Sequence, residues 1–235
     1  MTERPAQLPL AIELIRESTL ASYRPGPNAE AVAAVRALAE GSGESYLYLF
    51  GPAATGKTHL LQGSCRAADA RGRTAQYLPL AHPGLTPAIL EGLDETCDLI
   101  AIDDLQAIVG RTDWELALFA LFNRARGGGR ALLIAATLAP DALGIGLRDL
   151  VSRLHWGPRY RLLPLSDVEC ETLLIETAAG LGMRLDAATA RYIMNNHARD
   201  PASLVALIER IDRASLREQR PPSIHLVRQV IRGAT

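Results

Sequence analysis

The chain has 235 residues, of which 48% are hydrophobic and 5% aromatic, enough for one well-packed core and a small appended domain. Its 25 basic and 26 acidic residues leave a formal net charge of -1, which excludes long-range attraction to a phosphate backbone or an anionic membrane. Any contact with nucleic acid therefore has to be local or indirect. Cys65, Cys97 and Cys170 lack the spacing of a metal site, so we expect reduced core thiols.

The N-terminal end is charged but carries no hydrophobic block typical of a signal peptide. No apolar run in the sequence has the length needed to cross a bilayer. We therefore expect a cytoplasmic protein with no membrane partner. Two prolines and a glycine in RPGPN, residues 24–28, predict a turn. This turn follows a short tail, which we place at residues 1–22 and expect to be flexible.

From residue 23 to residue 165, apolar segments of strand length alternate with amphipathic segments of helix length. Such alternation, with strands apolar on both faces, predicts an α/β fold in which helices flank a parallel sheet. The predicted strands are YLYLF (46–50), TAQYLPL (74–80), DLIAID (98–103), ALLIAAT (131–137) and YRLLPL (160–165). The predicted helices cover residues 57–70, 113–126 and 147–155.

After residue 165 the apolar residues recur at helical spacing, which predicts a small all-helical lid domain over residues 166–235. Ser166 and Glu169 have the spacing of a capping box. Asp200 followed by Pro201 fits an N-cap with proline at the first helical position. Two folded units are therefore expected, an α/β nucleotide-binding domain over 23–165 and this lid.

A phosphate-binding loop is indicated by GPAATGKT, which follows the first predicted strand and opens a helix. Its glycines let backbone amides turn toward phosphate oxygens, while Lys57 supplies a positive charge and Thr58 a hydroxyl for magnesium. The positive end of the following helix points at the same phosphates. The predicted nucleotide-binding residues are Gly51, Pro52, Ala53, Ala54, Thr55, Gly56, Lys57, Thr58 and His59.

Two adjacent acids, Asp103 and Asp104, end the third predicted strand. In phosphate-loop proteins the first such carboxylate holds magnesium, usually through water, and the second can polarise an attacking water. Two acids at a strand end can also be solvated loop charges, but the upstream phosphate loop favours the catalytic interpretation. We therefore assign Thr58 and Asp103 to magnesium and Asp104 to water activation.

Four segments together resemble the AAA+ core of the bacterial initiator DnaA. The resemblance runs from about Tyr23 to the C-terminus, and DnaA continues past its lid into a helix-turn-helix domain that this sequence lacks. That difference, with the opening PAQLPLAI, resembles the shorter Hda family of regulatory inactivators of DnaA. The segments are YLYLFGPAATGKTHLLQ, LIAIDDLQAI, ELALFALFNRARGGGRALLIAAT and LRDLVSRLHWGPRYRLLPLSD.

The resemblance implies that Arg153, in SRLHWG, is an arginine finger that acts in trans on ATP held by DnaA and stabilises charge developing on the γ-phosphate. It also implies that Gln7, Leu8 and Leu10 bind the DNA polymerase III β sliding clamp. On its own QLPL is a weak signal, because short tails often carry such residues by chance. The implied partners are DnaA, the clamp, DNA mainly through the clamp, and a second copy of the chain as an open alternative.

Two positions depart from the family pattern. The polar residue that orients the attacking water is matched by Thr137, whose hydroxyl is a weaker substitute for an acid or amide. The lid arginine that reaches toward the nucleotide falls on Ala202, although Arg199 lies close enough in sequence to replace it. Loss of that cation removes a γ-phosphate stabiliser, so we expect ADP or ATP as cofactor with weak or no intrinsic hydrolysis.

The resemblance implies a negative regulator of replication initiation that is bound to ADP or ATP, docks on the DNA-loaded clamp and stimulates hydrolysis by DnaA. Two alternatives remain open: a DnaA-related ATPase that loads a helicase or another motor, and an adaptor that binds nucleotide only structurally and localises another replication protein at the clamp. Strong hydrolysis stimulated by single-stranded DNA would favour the loader. The residues at Thr137 and Ala202 argue against it.

Overall fold

The computed structural model of the chain describes residues 18–219 and 221–233. Gln7, Leu8 and Leu10, the predicted clamp motif, lie outside the described residues. Five parallel strands form one sheet in the order β2-β3-β4-β1-β5. The strands are β1 (Tyr46–Phe50), β2 (Ala75–Pro79), β3 (Leu99–Asp103), β4 (Ala131–Ala136) and β5 (Arg159–Arg161).

Helices flank this sheet, so the predicted fold class is confirmed. The helices are α1 (Ala29–Glu40), α2 (Lys57–Asp69), α3 (Leu93–Thr96), α4 (Thr112–Gly127), α5 (Arg148–Leu154), α6 (Asp167–Gly180), α7 (Ala187–Asn196), α8 (Pro201–Glu218) and α9 (Ile224–Arg232). No helix of the described residues combines the length and the apolar character that crossing a bilayer requires.

The two faces of the sheet bury different side chains because successive residues of a strand point to opposite sides. In β1, Leu47 and Leu49 pack with α1 and α2, whereas Tyr46 and Tyr48 pack with α4 and α5. Each face therefore has its own apolar layer. The three cysteines are free and buried, one in each of the three apolar clusters, and burial raises the pKa of the Cys65 thiol to about 12.

The last strand is shorter than predicted, because the chain after Leu162 pairs with a side chain and not with the sheet. Leu162 still donates its amide to the carbonyl of Phe50, at 2.7 Å. Asn28 then takes both backbone groups of Leu163: its Oδ1 accepts from the amide at 2.8 Å and its Nδ2 donates to the carbonyl at 2.9 Å. Strand pairing cannot continue past that point.

The helices after β5 enclose a third apolar cluster, built on residues such as Leu174, Ile193 and Leu207. Both predicted helix starts are confirmed. The capping box is closed, since Ser166 accepts from the Glu169 amide and the Glu169 carboxylate accepts from the Ser166 amide. Asp200 accepts from the amide of Ser203 at 2.9 Å, with proline in the first turn of α8.

The segment before α1 contacts both the sheet-bearing part and the helical part of the chain. Ser18 and Leu20, which the sequence analysis assigned to the tail, are buried, and Leu20 packs in the layer beneath α1 and α2. The predicted turn contains a short 3-10 helix, Gly26–Asn28. Arg24 forms an ion pair with Glu176 of α6. Packing thus begins upstream of residue 23.

Candidate nucleotide-binding site

The predicted phosphate loop joins β1 to the N-terminus of α2, in agreement with its sequence context. Two of its glycines are required by close neighbours: a Cβ on Gly51 would lie 2.4 Å from the Leu162 carbonyl oxygen, and one on Gly56 would lie 2.5 Å from the ring of Tyr23. Gly56 also has a φ of 82°, which L side chains rarely adopt. The Tyr23 hydroxyl donates to the Thr55 carbonyl at 2.9 Å and holds the loop against the segment before α1.

Lys57 lies inside this loop. Its Nζ donates to the carbonyls of Gly51 and Pro52, each at 2.7 Å, and the residue is 9% exposed. Burial lowers the pKa of its ammonium, while the charges of Asp103 and Asp104 oppose that shift. Two of the three donors of the ammonium are used within the loop, so one is left for a phosphate oxygen.

The structure brings together the two residues that the sequence analysis assigned to magnesium. Thr58 donates its hydroxyl to Oδ2 of Asp103 at 2.6 Å. The Tyr77 hydroxyl donates to the same oxygen at 3.0 Å, and the Asp104 amide donates to Oδ1 at 2.9 Å. Burial raises the pKa of Asp103, with a further contribution from the nearby charge of Asp104, while these three hydrogen bonds lower it.

This arrangement fits magnesium bound together with a nucleotide. Magnesium usually takes one or two carboxylates, several waters and phosphate oxygens, and it rarely uses an all-protein cage. Residues 18–219 and 221–233 contain no group of three or more His, Cys, Asp and Glu side chains able to hold a metal. A hydroxyl and a carboxylate beside a buried lysine are the donors expected at such a site.

A side chain that the sequence analysis missed connects the predicted water-activating acid to the predicted sensor. Gln106 donates its Nε2 to Oδ1 of Asp104 at 2.8 Å and accepts from the Thr137 amide at 3.1 Å. It therefore bridges the ends of β3 and β4. Asp104 itself has a φ of 56°, in the left-handed region. The only signal for Gln106 in the sequence is its position two residues after Asp104.

His59, the last residue assigned to the nucleotide, contacts the segment before α1. Its Nε2 lies 2.8 Å from the Thr19 carbonyl and 3.2 Å from the Ser22 hydroxyl. Its ring meets Tyr23 edge to face. The contacts of this imidazole therefore connect α2 to the N-terminal segment, while Pro52, Ala53 and Ala54 are exposed at the tip of the loop.

Arg153, the predicted arginine finger, lies in the last turn of α5 and is half-buried against α4. Its Nε donates to Oδ1 of Asn123 at 2.9 Å, and its guanidinium carbon is 5.8 Å from the centre of the Phe119 ring. It forms no ion pair with any carboxylate in the described part of the chain. Asn123 thus fixes one edge of the guanidinium and leaves its terminal nitrogens without an acceptor among the described residues.

The surface beside Arg153 is rich in aromatic and cationic side chains. Trp156 is 46% exposed, and the guanidinium of Arg126 stacks on its ring at 3.9 Å. The buried ring of Phe122 contacts the Trp156 ring edge to face. Exposed tryptophan and arginine side chains are typical anchors of protein interfaces.

The lid position that the sequence analysis aligned with the family's arginine is solvent-exposed. Ala202 is exposed in the first turn of α8. Arg199 forms an ion pair with Asp167 at 2.5 Å, and its Nε donates to the Met194 carbonyl at 2.9 Å. The contacts of Arg199 are therefore made within the helical region, which gives no support to its replacing the missing cation.

The architecture is similar to that of DnaA. Domain III of the replication initiation protein DnaA from Thermotoga maritima matches with a TM-score of 0.79 and 21% identity over 94% of this chain and 98% of that one. AMPPCP-bound DnaA from Aquifex aeolicus matches with a TM-score of 0.72 and 23% identity over 88% of this chain and 70% of that one. At these identities the likeness establishes the AAA+ fold alone.

Two further similarities narrow the family. An uncharacterized protein of Haemophilus influenzae is 36% identical over 227 residues, which cover 96% of this chain and 98% of that protein. Residues 167–231 match the family model described as the lid domain of Hda. This chain belongs to the Hda family of DnaA-related AAA+ proteins. The segment that matches the Hda model starts at the first residue of α6 and ends within α9, so it is the helical region that the sequence analysis predicted.

Proposed function

We propose that this Hda-family chain is a negative regulator of replication initiation that stimulates hydrolysis of ATP bound to DnaA. In this proposal the chain docks on the DNA-loaded sliding clamp through Gln7, Leu8 and Leu10 and presents Arg153 to the nucleotide of DnaA. The observation that carries the proposal is the state of Arg153: one edge is fixed by Asn123, and no carboxylate of the described residues neutralises it.

The chemistry of a trans-acting arginine requires this combination. A guanidinium stabilises a transition state best when it is already oriented, because no reorganisation is then needed as charge develops on the phosphoryl group. It also has to lack an internal counter-ion, since a bound carboxylate would compete with the phosphate oxygens for its donors. An arginine finger is worth roughly a thousandfold or more in rate.

In this proposal the chain binds an adenine nucleotide in its own phosphate loop and hydrolyses it slowly or not at all. DnaA structures of the same fold contain AMPPCP, which supports ADP or ATP as the ligand here. Lys57 and the loop amides would bind phosphate oxygens, and Thr58 with Asp103 would hold magnesium, which supplies charge neutralisation when bound. Thr137 and Ala202 stand where stronger groups would assist hydrolysis, so the nucleotide would mainly stabilise the conformation that presents Arg153.

The test is hydrolysis of DnaA-bound ATP in the presence of clamp-loaded DNA and this protein preloaded with ADP. We expect Arg153→Ala to keep nucleotide and clamp binding and to lose stimulation by roughly a thousandfold, to the rate of DnaA alone. Arg148→Ala is the matched control, because Arg148 is an exposed arginine in the first turn of the same helix. Unchanged stimulation by Arg153→Ala would refute the assignment.

A second measurement separates this function from the loader alternative. Turnover of ATP by this chain alone, with and without single-stranded DNA, should stay near the uncatalysed level in both conditions. Strong turnover that rises with single-stranded DNA would support a motor loader instead. Clamp docking is tested by co-elution, which Gln7→Ala together with Leu10→Ala should abolish without changing the thermal unfolding of the chain.

A further inference from the structure

A groove of 610 Å³ lies between α8 and α9, and the proposed regulatory mechanism does not use it. One wall carries Arg210, Arg213 and Arg217, which recur along α8 at a spacing of three and then four residues. Residues at that spacing lie on one face of a helix. The three guanidinium groups therefore form a row along the groove.

The net charge of the α8–α9 region is positive, whereas that of the whole chain is slightly negative. Residues 210–233 contain six arginines and two acids, whereas the complete sequence has a formal net charge of -1. Glu218 is the only acidic residue in the lining of the groove. A concave surface with one sign of charge concentrates ligands of the opposite sign.

Two of the three arginines are available to a ligand. Arg210 donates to the Val230 carbonyl on the opposite wall, which fixes the spacing of α8 and α9 at this point. Arg213 and Arg217 are exposed, and neither has a hydrogen-bond or ion-pair partner among residues 18–219 and 221–233. A guanidinium presents paired donors that match the two oxygens of a carboxylate.

Part of the lining of the groove is apolar. Ala214 and Leu226 are buried there, and Val230 is half-buried beside them. The lining contains no aromatic side chain on which a nucleic-acid base could stack. An occupant that suits both the arginines and the apolar residues of the lining carries carboxylates and aliphatic side chains together. An acidic peptide has both, whereas a nucleic acid has neither.

We propose that the groove between α8 and α9 binds an acidic, leucine-containing peptide segment of a partner protein. Its carboxylates pair with Arg213 and Arg217, and its apolar side chains lie on Leu226 and Val230. Helix-in-groove and extended binding both satisfy this chemistry. The groove includes neither the phosphate loop nor Arg153, so an experiment that refutes peptide binding would leave the proposed function unaffected.

The test is fluorescence anisotropy of the full-length chain with two short labelled peptides. In one peptide glutamates and leucines are spaced to form an amphipathic helix, and in the other they alternate to form a strand. Versions with glutamine in place of glutamate control for charge. A labelled single-stranded oligonucleotide and a labelled duplex report nucleic-acid binding under the same salt conditions.

We expect at least one acidic peptide to bind, and the charge-reversal variant Arg213→Glu with Arg217→Glu to weaken it by about tenfold or more, since two charge-assisted pairs become repulsive. The matched control is Arg184→Glu with Arg191→Glu, which changes the net charge equally at two exposed arginines outside the groove. Thermal unfolding verifies that both variants fold.

Four results would overturn the proposal. The first is that neither acidic peptide binds the wild-type chain. The second is that the glutamine peptides bind as tightly as the acidic ones. The third is that the control variant loses as much affinity as the groove variant, which would indicate a general charge effect. The fourth is that the oligonucleotide or the duplex binds more tightly than both peptides and loses affinity in the groove variant. That result would assign the groove to nucleic acid.

Discussion

Two cations of this chain are held in contrasting ways. Lys57 is buried in its loop and donates to two carbonyls of that loop, whereas Arg153 is half-buried and fixed at its Nε alone. The first site is built by one continuous segment together with neighbouring strands of the sheet. The second is an oriented cation which, in the proposed function, meets an acceptor from another molecule. Under the proposed function, this chain holds a phosphate unaided, while Arg153 acts only in a complex.

Beyond the Arg153→Ala test, the largest effect that would sharpen this contrast is on nucleotide affinity. Lys57→Ala removes a charge-assisted donor to phosphate and should weaken binding of ADP by about a hundredfold, because each such bond contributes roughly 1.5–3 kcal/mol. Isothermal titration with ADP and magnesium measures it. Arg153→Ala, measured in parallel, should leave the affinity unchanged, and an equal loss in both variants would show that the two sites are not separate.

The next effect concerns the orientation of Arg153. Asn123→Ala removes the acceptor of its Nε and should reduce stimulation of DnaA by about tenfold, since a misplaced group loses part of its transition-state interaction. The affinity for ADP should stay the same. Asp113→Ala, an exposed residue in the first turn of α4, serves as control. Full stimulation by Asn123→Ala would mean that the orientation is set elsewhere.

A pH dependence of the folding stability is expected at the nucleotide-binding site, because Asp103 is a buried carboxylate. Burial raises the pKa of Asp103 above its unfolded value of about 3.9, so the folded state binds a proton that the unfolded state has released. Folding stability is then lost as the pH rises from that value through the folded pKa. In denaturation without nucleotide, the stability of the wild type relative to Asp103→Asn should fall over this window.

The control for that series is Asp149→Asn, which changes an exposed carboxylate of α5. Its stability relative to the wild type should vary much less over the same window. If the difference between the wild type and Asp103→Asn is independent of pH, the buried carboxylate does not titrate as proposed.

The smallest effect is expected at the bridge between β3 and β4. Gln106→Ala leaves the Thr137 amide without its acceptor and should lower the free energy of unfolding by about 1 kcal/mol. It also frees the Asp104 carboxylate, so any intrinsic hydrolysis should change by a few-fold while stimulation of DnaA does not. Gln106→Glu keeps the acceptor but replaces the donor to Asp104 with a second carboxylate, so at neutral pH it should not recover the stability. Unchanged stability of Gln106→Ala would contradict the role of that acceptor.

Local patterns in the sequence located most of the secondary structure, although α1 and α3 were not predicted. Apolar periodicity located all five strands and the helices of the lid, and residue types at the helix starts identified the caps at Ser166 and Asp200. Among the strands the exception is β5, which ends at Arg161 and not at residue 165. Its end depends on Asn28, which is 135 positions away in sequence from Leu163, and no local pattern contains such a contact.

The residues of the candidate site also divide into those that local sequence patterns identified and those that they did not. Lys57, Thr58, Asp103 and Asp104 were identified because a phosphate loop and a strand ending in acids have fixed local spacing. Tyr77 and Gln106 were not, because their hydrogen bonds depend on the order of strands in the sheet, with β3 between β2 and β4. Tyr23 likewise reaches the loop only after the chain has folded back over α2.

By itself, then, the sequence determined the phosphate loop, the strand acids and the resemblance to the Hda family, since each is a property of neighbouring residues. The clamp motif at Gln7, Leu8 and Leu10 stays a prediction from the sequence. Only the tertiary structure decided which side chains complete the site, that Arg153 is fixed by Asn123, and that the arginines of α8 face a groove. The physical reason is that hydrogen bonds and packing join groups that are close in space, and chain order alone does not specify which distant groups meet.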